Sequence, residues 1–316
     1  MAEVICIVGP TASGKTRLSI ELANAVNGEI VSCDSMQFYR GMDIGTAKPT
    51  AEEQAAAKHH MIDILDPGED YSVGRYVAEA DAVVQDILRR GKTAIVVGGT
   101  GLYVDALMAG REFAPYPQTG RREELEAKAD REGMAAMLQY LRSFDPDSAA
   151  RLHEADRKRI IRACEVYLET GKTITQHNLE TKALAPKYRP LWIGLDYVNR
   201  QDLYDRIDLR VSLMLQEGLL DEIRALMARG AKMESTALQA IGYKEFLPAL
   251  RGEITVEEAA DQVRQASRRY AKRQLTWFRR NESIQWIRME KDPDFSLVLE
   301  KARQLLTEFD RGELVE

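Results

Sequence analysis

VICIVGPTASGKTRLSIELANAV, residues 4–26, decides the fold. Five apolar, largely β-branched residues come first, the length and composition of a buried strand. GPTASGKT follows, a G-x-x-x-x-G-K-[ST] loop spanning Gly9, Pro10, Thr11, Ala12, Ser13, Gly14, Lys15 and Thr16. In such a loop backbone N–H groups cradle phosphates, the lysine adds a point charge and the final hydroxyl reaches Mg²⁺. The stretch after it repeats apolar residues at helical spacing, so a helix N-terminus faces the anion. Strand, phosphate loop and helix together identify a phosphate ligand. They do not identify a reaction.

Outward from this unit, short apolar runs recur at 29–33 (EIVSC), 60–65 (HMIDIL), 93–97 (TAIVV), 191–195 (LWIGL) and 284–287 (IQWI). Helical patterns separate the early ones, which predicts an α/β, P-loop-like core with a mostly parallel sheet flanked by helices. From 121 to about 180 the strand signal vanishes and amphipathic helices take over, with Asp147 and Ser148 as capping signals. The expected organisation is therefore a first core part at 1–115, an all-helical insertion at 116–186 and a second core part with C-terminal helices at 187–316.

The chain has 316 residues, enough for one large domain or two, and 44 basic against 50 acidic side chains give a net charge of −6. Cys6, Cys33 and Cys164 are odd in number and far apart, which excludes a disulfide framework and a C-x-x-C metal knuckle. No basic n-region precedes the first apolar run and no stretch reaches the length of a membrane span, so the expected setting is cytoplasmic. A monomer is expected.

In open α/β sheets ligands lie at the carboxyl ends of strands. The second strand runs into DSMQFY, which puts Asp34, Ser35 and Gln37 beside the loop, although Asp34 and Ser35 serve equally well as turn caps by spacing alone. The fourth strand ends in GGTGLY, where Gly98, Gly99 and Gly101 would let backbone approach a ligand and Thr100 offers a hydroxyl. That strand lacks the terminal Asp with which ATP-hydrolysing relatives hold magnesium; Asp63 and Asp34 are the only substitutes. His59 and His60 read as structural. Arg206 and Arg210 lie one helical turn apart and can aim at one diphosphate or pair with nearby acids. Positive charge collects in RQASRRYAKRQLTWFRR, residues 264–280, with seven basic and no acidic residues, and again in DRKRIIR at 156–162. Two basic stretches on an acidic chain point to a polyanion partner.

Nine segments in order, GPTASGKT, DSMQFY, GTAKP, HHMID, GGTGLY, RKRIIRACEVYLETGK, DRIDLRV, IGYKE and KRQLTWFR, resemble the bacterial tRNA dimethylallyltransferases, also called tRNA isopentenyltransferases. The resemblance implies transfer of a dimethylallyl group from dimethylallyl diphosphate to N6 of the adenosine 3′ to the anticodon, with diphosphate released and Mg²⁺ as cofactor. It assigns Asp34 as general base and places Ser35, Met36, Gln37 and Thr100 around the flipped base. Lys15, Thr16 through magnesium, Thr100 and one or both of Arg206 and Arg210 would stabilise the leaving diphosphate. Arg122 and the run Lys158, Arg159, Ile160, Ile161 and Arg162 would grip the anticodon stem-loop, with Arg268 and Arg273 on the second basic stretch. The competing reading is a P-loop small-molecule kinase or ATPase.

Overall fold

A computed structural model describes residues 3–111, 119–182 and 185–314. The first part alternates β1 (Val4–Val8), α1 (Lys15–Val26), β2 (Gly28–Ser32), α2 (Ala51–Ala56), β3 (His59–His60), α3 (Val73–Arg89), β4 (Thr93–Gly98) and α4 (Gly101–Met108). Five helices follow: α5 (Arg121–Glu132), α6 (Met134–Arg142), α7 (Pro146–Arg151), α8 (Arg157–Thr170) and α9 (Ile174–Lys182). The last part holds β5 (Leu191–Tyr197), α10 (Arg200–Gln216), α11 (Leu219–Ala228), α12 (Leu247–Leu250), α13 (Val256–Phe278), β6 (Gln285–Met289) and α14 (Phe295–Asp310). Two compact units result, Met1–Gly110 with Tyr188–Glu316, and Arg111–Lys187. The boundary expected at 115–116 falls outside the described residues.

The six strands form one sheet in the order β3-β2-β4-β1-β5-β6, every pair parallel. β1 is buried along its whole length because helices cover both faces, which is why its sequence is continuously apolar rather than alternating. Cys6 and Val8 join the cluster packed by α3, α4 and α11, whereas Ile5 and Ile7 join the one packed by α1 and α14. α13 supplies Ala260 and Val263 to the first cluster and Ala271 and Leu275 to the second. Val8 pairs with both Gly98 and Gly194, so β4, β1 and β5 end level and their following loops meet.

Three local expectations change. β3 is two residues long instead of six, because Met61 and Asp63 take left-handed backbone angles (φ 59° and 53°) that no strand accommodates. Ile64 and Leu65 instead donate backbone N–H groups to the Phe38 carbonyl. The long helical pattern from 121 breaks at Gly133, and α7 is capped by Asp145, whose side chain accepts from Ser148 N at 3.1 Å, with Pro146 at the first helical position. Asp147 is thus inside the helix, not its cap.

Candidate active site

The phosphate loop starts where β1 ends, and its geometry leaves room for nothing larger than glycine at two points. A Cβ on Gly9 (φ 145°) would lie 2.5 Å from the Leu195 carbonyl oxygen of β5, and one on Gly14 (φ 86°) would run into the Phe295 ring of α14. Lys15 opens α1 and donates to the Pro10 carbonyl at 2.6 Å. Arg210, from α10, donates to Thr11 Oγ1 at 3.2 Å and to the Thr46 carbonyl at 3.3 Å; Arg206, one turn earlier, donates to the Ala12 carbonyl at 3.2 Å. Both arginines therefore touch the loop. Arg210 Nε and Ser13 Oγ are enclosed at the loop without a hydrogen-bond partner among the described residues. Burying polar atoms unpaired is costly, so the pocket is built for something that accepts from them.

Asp34 follows β2. Its Oδ1 accepts from Met36 N at 3.0 Å, so it does cap a turn, while Oδ2 has no donor among the described residues. Its charge is felt by several buried groups at once. Burial pushes the Lys15 ammonium down to about 8, with the Asp34 carboxylate opposing that shift and Arg210 adding to it. Burial likewise lowers Arg210, again opposed by Asp34. Tyr270 of α13 is pushed up to about 12 by burial and then by Asp34. Thr100 Oγ1 accepts from Ser35 N at 3.3 Å. A carboxylate, two cations, a threonine and a tyrosine thus converge beside the loop.

The remaining expectations are revised at the glycines, Asp63 and Gln37 and met at His60. Gly98, Gly99 and Gly101 make room for protein, not ligand: a Cβ there would strike Cys33, the Gln274 amide and the Trp277 ring respectively. Asp63 is drawn off to the buried Lys48 ammonium at 2.6 Å and supplies no magnesium carboxylate to the loop. His60 Nε2 lies 2.7 Å from Glu29 Oε2, which accounts for it structurally. The Gln37 amide is occupied, accepting from Ser32 Oγ at 3.1 Å and donating to the Ala47 carbonyl at 3.2 Å.

The basic stretches are more neutral than their sequences. On α13, Arg264 pairs with Glu257 and Asp261, and Arg268 pairs with Asp208, at 2.6 Å in each case. Arg279 pairs with Asp196 at 3.0 Å. Arg269, Lys272 and Arg273 are exposed without an ion pair among the described residues; Arg273 stacks over Tyr270. On α8, Lys158 and Arg159 are exposed, whereas Ile160 and Ile161 are fully buried in the core of the helical unit. Those two isoleucines face the packing side of an amphipathic helix and cannot touch RNA in this structure. Arg122 and Arg162 both approach Glu165.

Two residues without an expected role shape the site. Glu222 of α11 accepts the backbone N–H groups of Asp43, Ile44 and Gly45 at 2.8, 2.8 and 3.1 Å, and the Tyr243 hydroxyl at 2.7 Å. It fixes the segment whose Thr46 carbonyl receives Arg210. Gln274 of α13 accepts from Thr11 N and donates to the Gly99 carbonyl. Neither stood out by spacing, since their partners are distant in sequence.

Family models match most of the chain. The IPP transferase model matches residues 37–281, and an isopentenyl transferase model matches residues 2–64. The chain belongs to the IPP transferase family. It is 42% identical over 314 residues to the tRNA dimethylallyltransferase of Caldanaerobacter subterraneus, covering 99% of this chain and 98% of that one. It is 47% identical over 285 residues to tRNA dimethylallyltransferase 1 of Citrifermentans bemidjiense, covering 90% and 92%. Among solved structures, the tRNA isopentenylpyrophosphate transferase of Bacillus halodurans superposes with a TM-score of 0.72 at 42% identity, covering 99% of this chain and 97% of that one. A eukaryotic dimethylallyltransferase caught acting on tRNA gives 0.84 at 30% identity, over 100% of this chain and 81% of that one.

Proposed function

We propose that this member of the IPP transferase family transfers a dimethylallyl group from dimethylallyl diphosphate to N6 of the adenosine 3′ to the tRNA anticodon and releases diphosphate. The observation that carries the reading is the convergence of an enclosed cationic cradle, in which Arg210 Nε has no hydrogen-bond partner among the described residues, with a carboxylate oxygen that has no donor among them either. The phosphate loop backbone, Lys15 and Arg210 hold the diphosphate, and their positive charge stabilises what accumulates on it as the allylic C–O bond breaks. Arg206 shapes the loop through Ala12. Asp34 accepts the proton of the adenine amine, a poor nucleophile, as nitrogen bonds to the allylic carbon. Thr100, which accepts from Ser35 N, orients that amine.

The donor set fits magnesium. Thr16 has a hydroxyl without a partner among the described residues, and Mg²⁺ in phosphate sites takes most of its ligands from water and phosphate, so the lack of a three-residue cluster of His, Cys, Asp or Glu among the described residues is no obstacle. Thr16 would hold the ion, which when bound neutralises diphosphate charge. Lys158, Arg269, Lys272 and Arg273 are exposed cations available to an RNA backbone. No described helix is long and apolar enough to cross a membrane.

Purified protein with Mg²⁺ should move label from dimethylallyl diphosphate onto unmodified tRNA without ATP. Asp34→Ala should slow single-turnover transfer by ~10²-fold or more while tRNA affinity persists. A near-normal rate in that variant removes Asp34 from the role of base. Transfer that occurs only with ATP would favour the kinase reading.

A further inference from the structure

We infer that Gln274 is a positioning residue that sets the separation between the diphosphate cradle and the base-side groups, an inference that rests on the activity proposed above. Its side chain is 5% exposed and both ends of its amide are engaged. Oε1 accepts from Thr11 N, in the loop after β1, at 2.8 Å. Nε2 donates to the Gly99 carbonyl, in the turn after β4, at 3.0 Å. β1 and β4 are neighbours in register, with Val8 opposite Gly98, so one amide spans the two adjacent strand ends.

What lies on each side of that span gives the tie its meaning. Thr11 belongs to the cradle and accepts from Arg210; Gly99 precedes Thr100, which accepts from Ser35 next to Asp34. The leaving group is therefore held on one side of Gln274 and the attacking amine on the other. Displacement at carbon needs the two in line, and a 1 Å error in such an arrangement costs on the order of 10²-fold in rate. Polarity is also fixed: Thr11 supplies a donor and Gly99 an acceptor, so only a side chain with one acceptor and one donor at this length satisfies both. Glycine at 99 completes the fit, because a Cβ there would collide with the Gln274 amide.

The tie also comes from α13, which carries Arg273 just before Gln274 and Tyr270 one turn earlier. The helix that offers cations to RNA is the one that holds the two halves of the site at a set distance. Removing the tie should thus spare both ligands and harm the step between them.

The test compares Gln274→Met, which keeps length and loses both hydrogen bonds, with Gln274→Glu, which keeps an acceptor for Thr11 N and sets an oxygen against the Gly99 carbonyl. Expected for both are pyrophosphate and tRNA affinities within about threefold of wild type and a single-turnover transfer rate lower by ~10-fold or more. Either variant suffices if the other folds poorly by circular dichroism. A folded variant that transfers within threefold of wild type overturns the inference. So does a loss of pyrophosphate affinity as large as the loss of rate, which would make Gln274 a prop of the cradle alone. Wild type run alongside separates the claims: no transfer by wild type defeats the proposed activity, whereas equal transfer by wild type and variant defeats the tie.

Discussion

The two ends of β2 carry opposite solutions to buried charge. Near its start, Glu29 is enclosed and fully answered: Arg90 grips it with both terminal nitrogens at 2.5 and 2.7 Å, Lys92 donates at 2.8 Å and His60 lies at 2.7 Å. Just past its end, Asp34 meets Lys15 and Arg210, which bond only to carbonyls and a hydroxyl and keep one guanidinium nitrogen unpartnered. The first cluster is closed and structural. The second has cations in excess of its anions, the condition expected of a site that awaits a polyanionic ligand. Burial and perturbed charge occur in both, so neither marks function alone; what separates the second is the unpaired Arg210 Nε beside the phosphate loop.

Substitutions should separate the two ends sharply. Arg210→Gln should reduce prenyl transfer by ~10²-fold or more, since it removes a charge that acts on the leaving group. Its melting temperature should hold or rise, because a cation desolvated without a carboxylate partner is lost. A large fall in melting temperature with modest loss of rate would place Arg210 with the structural cluster. Glu29→Gln should do the reverse, costing about 3 kcal/mol of stability by leaving several cations around a neutral amide, with single-turnover chemistry intact in the folded fraction. Denaturant unfolding measures the first and rapid quench the second.

Their pH responses should share a sign and differ in window, stability rising with pH at the acid end for Glu29 and at the alkaline end for Lys15. Hydrogen bonds from Arg90, Lys92 and His60 outweigh burial and hold the Glu29 carboxyl well below the usual carboxylate range, so its contribution to stability is complete above its ordinary value of 4.5 and is lost as pH falls through the acid range. Lys15 is depressed from 10.5 to about 8, so the unfolded chain binds the extra proton and stability rises between about 8 and 10.5. Pyrophosphate affinity should fall over the same rise from about 8 as the ammonium is lost. Lys15→Met should flatten that dependence. A wild-type affinity that does not change between pH 7 and 9 would mean that Lys15 stays charged without the ligand.

The smallest expected effect concerns the basic helix. Arg273→Ala should weaken tRNA binding and lower the salt slope by about one, whereas Arg268→Ala, already committed to Asp208, should change the slope little. Equal slopes for both variants would show that tRNA displaces Asp208 from Arg268.

These contrasts mark how far the sequence could be read. β1, the phosphate loop and α1 were legible because strand length, glycine spacing and helical period are local properties. Asp34 was legible as a candidate, its neighbours less so. The basic run at 264–280 overstated free charge because its counterions lie outside it, Glu257 and Asp261 earlier on α13 and Asp208 and Asp196 on other elements. Ile160 and Ile161 sit among cations in sequence and in the core in space, a consequence of the 3.6-residue period. Gln274 and Glu222 act through backbone groups of distant loops, and a backbone N–H leaves no mark in the sequence.

The central claim is that the cradle holds diphosphate as a leaving group. Rapid quench of wild-type protein with excess tRNA and dimethylallyl diphosphate labelled in both the prenyl carbon and the phosphates measures this directly. The account predicts one intact pyrophosphate released for each prenylated tRNA, with no orthophosphate and no requirement for ATP. Orthophosphate appearing in step with product, or transfer that waits on ATP, would contradict it.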